Sequence, residues 1–189
     1  MPRSSGIRQH ETMDDLPTGP RPRRGVFPGS FNPLTVAHLE IAQLARAHHG
    51  LDEVHLAVST VALDKPTPPG PPVAERVALI AADAAAHAWL SVHTTEAQLI
   101  VDIAVGYDVV IMGADKWEQV NDIRYYADAA ARDAAVAALP DVVVATRDGA
   151  VAPAEHALPT PQELRSVSSS AARGGDRSQM DPIARERWS

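Results

Sequence analysis

Gly25-Val26-Phe27-Pro28-Gly29-Ser30-Phe31-Asn32-Pro33-Leu34-Thr35-Val36-Ala37-His38 joins a short apolar run to a Pro-Gly stop and then to the start of an apolar-faced helix. The apolar run reads as a strand. Gly29 lets the backbone turn tightly after it, leaving amides to face an anion. The helix predicted over about 35–48 carries Val36, Leu39, Ala42 and Leu44 on or near one face, and Gly50 supplies its stop signal. Its start adds unpaired N–H groups and the positive end of the helix dipole. Thr35 and His38 are three residues apart, so they share one helical face. The stretch thus predicts a hydroxyl and an imidazole beside any phosphate held in the loop.

Outward from this stretch the pattern repeats. Strands are expected at 54–58, 90–92, 109–112 and 141–145, and helices at 75–86, 96–104 and 126–139, with a proline-rich loop at 65–72. Short continuous apolar strands alternating with helices predict a parallel sheet covered on both faces. The expected fold is α/β, a Rossmann-like doubly wound parallel sheet in a single domain. Ligands of such sheets sit beyond the carboxyl ends of the strands. Residues 1–24, with Pro2, Pro17, Pro20 and Pro22 and no periodic apolar face, read as a flexible N-terminal arm.

Composition narrows the function. The 189 residues suit one core, and 45% of them are apolar but only 4% aromatic, so the interior must be built mainly from Ala, Val, Leu and Ile. A formal charge of −7 argues against nucleic-acid binding, which needs a basic surface. There is no cysteine, which excludes disulfides, thiolate catalysis and Cys-based zinc sites. No apolar run approaches the roughly 20 residues of a membrane span, and no secretory signal pattern opens the chain. A cytoplasmic location without membrane attachment is the expectation.

Gly29-Ser30-Phe31-Asn32-Pro33 with Thr35-Val36-Ala37-His38 resembles the signature of the nucleotidyltransferase superfamily, whose usual form ends in His-x-Gly-His or Thr-x-Gly-His. Ala37 stands where that form has Gly, and its methyl group is a candidate for crowding a nucleotide. Val167-Ser168-Ser169-Ser170-Ala171-Ala172-Arg173 is similar to the second motif of the superfamily, Ile-Ser-Ser-Thr/Ser-x-x-Arg. Serine hydroxyls, free amides and an arginine at a helix start suit the β- and γ-phosphates of ATP. Met112-Gly113-Ala114-Asp115 resembles the Gly-x-Asp of the pyridine-nucleotide adenylyltransferases, in which Gly113 would admit a base and Asp115 would accept from ribose hydroxyls. The resemblance places the nucleotidyltransferase domain at 25–173, followed by a C-terminal segment at 174–189.

For the second substrate the resemblance divides. Leu63-Asp64-Lys65-Pro66 looks like a loop of both the pyridine-nucleotide and the phosphopantetheine branches, in which the lysine meets the acceptor phosphate or the reacting centre. Trp89, with Thr94 after it, resembles the tryptophan that stacks on the pyridine ring of nicotinamide mononucleotide. Val120-Asn121-Asp122-Ile123-Arg124-Tyr125 echoes the pantetheine branch, whereas 112–115 and Thr146-Arg147-Asp148-Gly149 follow the pyridine-nucleotide one.

The resemblance implies adenylyl transfer from ATP to a phosphomonoester, with nicotinate or nicotinamide mononucleotide preferred over phosphopantetheine. Cytidylyl transfer and a non-catalytic nucleotide-binding module are the alternatives. His38 is expected on the α-phosphate with Thr35 in support, and Lys65 at the acceptor. Ser30, the Phe31 amide, Ser168, Ser169, Ser170 and Arg173 are expected on the phosphates. Mg²⁺ would ride on ATP, because no carboxylate cluster with ligand spacing is visible. A homo-oligomer is compatible with the sequence.

Overall fold

The computed structural model describes residues 20–61 and 70–187. Six strands form one parallel sheet: β1 (Arg24–Pro28), β2 (Glu53–Ser59), β3 (Leu90–Thr95), β4 (Val109–Gly113), β5 (Asp141–Ala145) and β6 (Ala157–Leu158). They run in the order β3-β2-β1-β4-β5-β6, so the winding reverses between β1 and β4. That is the doubly wound order expected from the sequence.

Side-chain alternation along each strand feeds two separate cores. Phe27, Leu56, Ile111 and Val143 point to one face, where they meet Ile41 of α1 (Val36–His49) and Ile80 of α2 (Val73–Ala84). Val26, Val110, Met112 and Val144 point to the other, against α3 (Ile100–Ile103), α4 (Ala114–Asn121) and α5 (Ala129–Ala137). Val54, Leu56, Val109 and Ile111 are each fully buried. Burial of such a side chain is worth about 1.5–3 kcal/mol, which is why strands covered on both faces read as unbroken apolar runs.

Several elements depart from expectation for local reasons. The helix expected at 96–104 shrinks to α3, because β3 runs on to Thr95 and the Ser59 hydroxyl holds the Ala97 carbonyl at 2.9 Å. The helix expected from 126 starts only at Ala129, where Asp128 caps it by accepting from the Ala131 amide at 2.8 Å. α4 was not anticipated, since Ala114 and Val120 are its only buried residues and no apolar stripe marks it. β6 has two residues, too few to show a period. The reading of 1–24 as an arm falls largely on residues 1–19, which lie outside the described residues. Arg24 belongs to β1, and Arg21 and Arg23 pair with Asp108 and Asp141, at the amino ends of β4 and β5. No helix among the described residues is long and apolar enough to cross a membrane.

Beyond residue 173, α7 (Pro182–Arg187) returns to α2, burying Met180 and Ala184 beside Ala172. Met180 bridges to Thr35, and the Asp181 amide donates to the Leu34 carbonyl at 3.3 Å. Between α2 and α7 the buried Asp83 meets Asp181. Desolvation first, and the neighbouring carboxyl second, push Asp83 up to about 8, against a smaller opposing pull from Arg187. The raised value means that the folded protein holds a proton that the unfolded chain releases. The stability linked to it is complete below the ordinary carboxyl range and is lost as pH rises towards 8. Asp83→Asn removes that loss. The variant should melt at least about 3 °C above the parent at pH 8.5, a shift on the order of 1 kcal/mol at this size, and alongside it at pH 4. Calorimetric scans at the two pH values make the comparison.

Candidate active site

The carboxyl ends of β1 and β4 open into a cleft of about 530 Å³ at the point where the sheet order reverses. Gly29 begins its floor. A side chain there would meet the Phe31 ring at 2.7 Å, so the loop closes only over glycine. Phe31 itself takes a left-handed conformation (φ 41°), a strained state for a bulky residue. Its ring is compensated by burial and by edge contacts with Phe27 at 5.6 Å and with His38 at 5.1 Å.

These rings wall in His38, and the start of α1 fixes its protonation. Thr35 caps the helix, accepting from the His38 amide at 3.4 Å, while the Thr35 amide donates to His38 Nδ1 at 3.1 Å. This is a capping box with histidine in the place usual for glutamate. Because Nδ1 accepts, the ring proton sits on Nε2. Desolvation, with a smaller contribution from the Arg147 guanidinium, pushes the imidazole down to about 3, so the ring is neutral at physiological pH. The expected bare N–H groups at the helix start are in part spent on this box. Thr35 is fully buried and absent from the cleft lining, which corrects its expected contact with phosphate: it positions His38. Ala37 is also fully buried, its methyl group in the α1 core, so it does not crowd the cleft.

The second motif is stitched to the first. α6 (Ser169–Arg173) starts at Ser168, whose hydroxyl caps it by accepting from the Ala171 amide at 3.1 Å. The Ser169 hydroxyl donates to the Pro33 carbonyl at 2.8 Å, and Arg173 donates to the Asn32 carbonyl and to Ser170 Oγ. Gly29, Ser30, Phe31, His38, Gly113, Asp115, Ser168, Ser169, Ser170 and Arg173 therefore line a single cleft. Asp115 is not the cap of α4, whose N-cap is Gly113. A side chain at Gly113 would strike Asp115 Oδ1 at 2.6 Å and Arg147 at 3.0 Å.

Of the three residues expected at the acceptor, two are not brought there. Trp89 precedes β3 at the amino edge of the sheet, under the Arg46 guanidinium at 5.4 Å and beside His87, so it cannot stack on a ligand in the cleft. Thr94 is exposed near the carboxyl end of β3 and outside the lining. Lys65 lies outside the described residues.

The cleft also holds residues to which the sequence reading gave no role: Arg76, Lys116 and Arg147, with Tyr125 and Tyr126. A signal for Arg76 was present, since it shares the buried stripe of α2 with Ile80, Asp83 and Ala84, a poor place for a charge without a purpose. Arg147 follows a buried strand closely, where the strand-end rule applies. Its guanidinium donates to the Val167 carbonyl at 3.1 Å. Among the described lining residues, Arg76, Lys116, Arg147 and Arg173 face one carboxylate, Asp115. A protein of net charge −7 has concentrated its cations where an anion would bind.

The geometry fixes a measurable state. Nitrogen NMR of the ligand-free protein should show His38 protonated on Nε2 and without a titration step between pH 5 and 8. A step near 6.5, or a proton on Nδ1, would remove the capping assignment.

The cytidylyltransferase-like family model matches residues 26–174. The chain belongs to that family, part of the nucleotidyltransferase superfamily that includes the nicotinamide-mononucleotide and phosphopantetheine adenylyltransferases. No curated protein matches it.

Proposed function

We propose that this nucleotidyltransferase moves an adenylyl group from ATP to nicotinate or nicotinamide mononucleotide and releases pyrophosphate. The observation that carries the reading is His38: a neutral imidazole with its Nε2 proton free of the capping box, at the point where the sheet winding reverses, among four cationic side chains. Nucleotide on the β4–β5 side would meet Gly113, Asp115 and Arg147, and acceptor on the β2–β3 side would meet Ser59, Thr60 and the 98–100 segment. The Gly113–Asp115 pattern supports adenosine and the pyridine branch. Trp89 no longer supports it, and a flat acceptor ring has Tyr125 and Tyr126 as aromatic neighbours instead.

An acceptor phosphomonoester is mostly dianionic at neutral pH, its second pKa being about 6, so it needs no general base. One of its oxygens attacks the α-phosphorus, and the bond from that phosphorus to the bridging oxygen breaks, the electron pair leaving with pyrophosphate. The task left to the protein is in-line positioning and charge stabilisation. His38 Nε2 donates to a non-bridging oxygen of the α-phosphate, where charge builds, and Thr35 holds the ring in that orientation. Ser30, the Phe31 amide, Ser168, Ser169, Ser170 and Arg173 hold the triphosphate, and Lys65 is assigned to the acceptor. Mg²⁺ carried by the phosphates would supply charge neutralisation. Asp115 alone among the described lining residues is a carboxylate, too little for a protein-built ion site.

His38→Ala should lower kcat by roughly 10²–10³, as loss of one oxyanion donor does, with ATP affinity nearly unchanged because the contact tightens in the transition state. The assay is pyrophosphate release with ATP or CTP against nicotinate mononucleotide, nicotinamide mononucleotide, phosphopantetheine and glycerol phosphate. Turnover with CTP alone, or with phosphopantetheine alone, overturns the proposed substrates. Normal turnover by the variant removes His38 from the chemistry.

A further inference from the structure

Arg76 is 5% exposed, on the core-facing stripe of α2, yet it lines the cleft. One of its terminal nitrogens donates to the Ser30 carbonyl at 2.9 Å. Its Nε is buried without a partner, and no carboxylate pairs with it among the described residues. Asp83, on the same stripe, turns to Asp181. Desolvation first, and the Arg173 guanidinium second, hold Arg76 below the usual arginine range. Two like charges therefore face each other across the Ser30–Asn32 loop, each gripping one of its carbonyls. A buried cation without a counter-ion is costly, and an anion arriving between two such cations relieves both desolvation and repulsion.

We propose that Arg76 and Arg173 form a two-guanidinium seat for a diphosphate group, the departing pyrophosphate end of the nucleotide. The assignment rests on the reading of the cleft as a nucleotidyl-transfer site. Two guanidinium groups separated by a loop offer two phosphate positions, which a diphosphate fills and a monoester does not. Arg76 binds through the groups its Ser30 contact leaves over, and its charge is carried in the empty protein at the expense of stability.

The test uses the full chain and Arg76→Met, which keeps an unbranched apolar stem but removes the guanidinium and its charge. Without ligand, the variant should melt at or above the parent. Inorganic pyrophosphate should raise the melting temperature of the parent but not of the variant, while inorganic phosphate moves neither strongly. ATP affinity of the variant should fall about 10- to 100-fold, the effect of losing a charge-assisted hydrogen bond, with AMP affinity unchanged. A variant that melts lower without ligand and keeps its pyrophosphate shift makes Arg76 a strut for the Ser30 carbonyl and overturns the seat. Protection by phosphate equal to that by pyrophosphate also overturns it. If Arg76→Met fails to fold, the Nε–H resonance of Arg76 in the parent carries the test: it should shift on titration with pyrophosphate, and a signal that stays put overturns the proposal. Nucleotidyl transfer is scored separately. A pyrophosphate shift without turnover keeps the seat and removes the proposed reaction, whereas normal turnover and ATP affinity in the variant do the reverse.

Discussion

One backbone hydrogen bond, from the Thr35 amide to Nδ1 of His38, organises the site. It ends the first loop and starts α1, and with the Thr35 hydroxyl 2.7 Å from the same nitrogen it selects the tautomer of the imidazole. A helix start normally recruits a carboxylate for this purpose, and a carboxylate here would place negative charge beside the proposed phosphate site. Histidine satisfies the same donor while staying neutral. Burial against Phe27 and Phe31 keeps it neutral. Secondary structure and the proposed chemistry are thus served by the two nitrogens of one ring.

Around that contact the sheet supplies position, and the helices supply most of the charge. The reversal between β1 and β4 leaves a crevice that no crossover helix fills, and residues after β1, β2, β4 and β5 reach into it. The cations come from α2, α4, the segment after β5 and α6. No short stretch of sequence contains them all, and the overall charge conceals them. Asp108, Asp122 and Asp141 bind arginines of their own, away from the cleft lining.

Much of this was legible in the residues and some was not, for definite reasons. Unbroken apolar runs such as Val109-Val110-Ile111-Met112 announce a strand because both faces are buried. Val120 and Ala114 alone anchor α4, so nothing periodic announced it. The first loop was readable because the backbone geometry itself demands glycine at 29. Thr35 supports His38 from beneath the cleft rather than from its wall, because three-residue spacing gives a shared face but not which member of the pair turns inward. Trp89 was placed by analogy of sequence, and its location follows instead from β3 beginning one residue later, at the edge of the sheet remote from the cleft. Arg76 was overlooked because a charged residue within an amphipathic pattern reads as surface until the neighbouring helix positions are weighed.

The first loop is held by partners made very late. Ser169 reaches Pro33 across 136 positions and Arg173 reaches Asn32 across 141, and Asp181 adds its amide to Leu34. A polypeptide emerging from the ribosome completes β1 to β5 and their covering helices well before these residues exist. Contacts of such long sequence separation form last in any case, because loop closure must be met first. A nascent chain therefore acquires a folded sheet while its first loop still lacks the serines and arginine that close over it. Closure of the cleft therefore waits for residues 169–181, by which time the sheet that must bear the clustered positive charge is already in place.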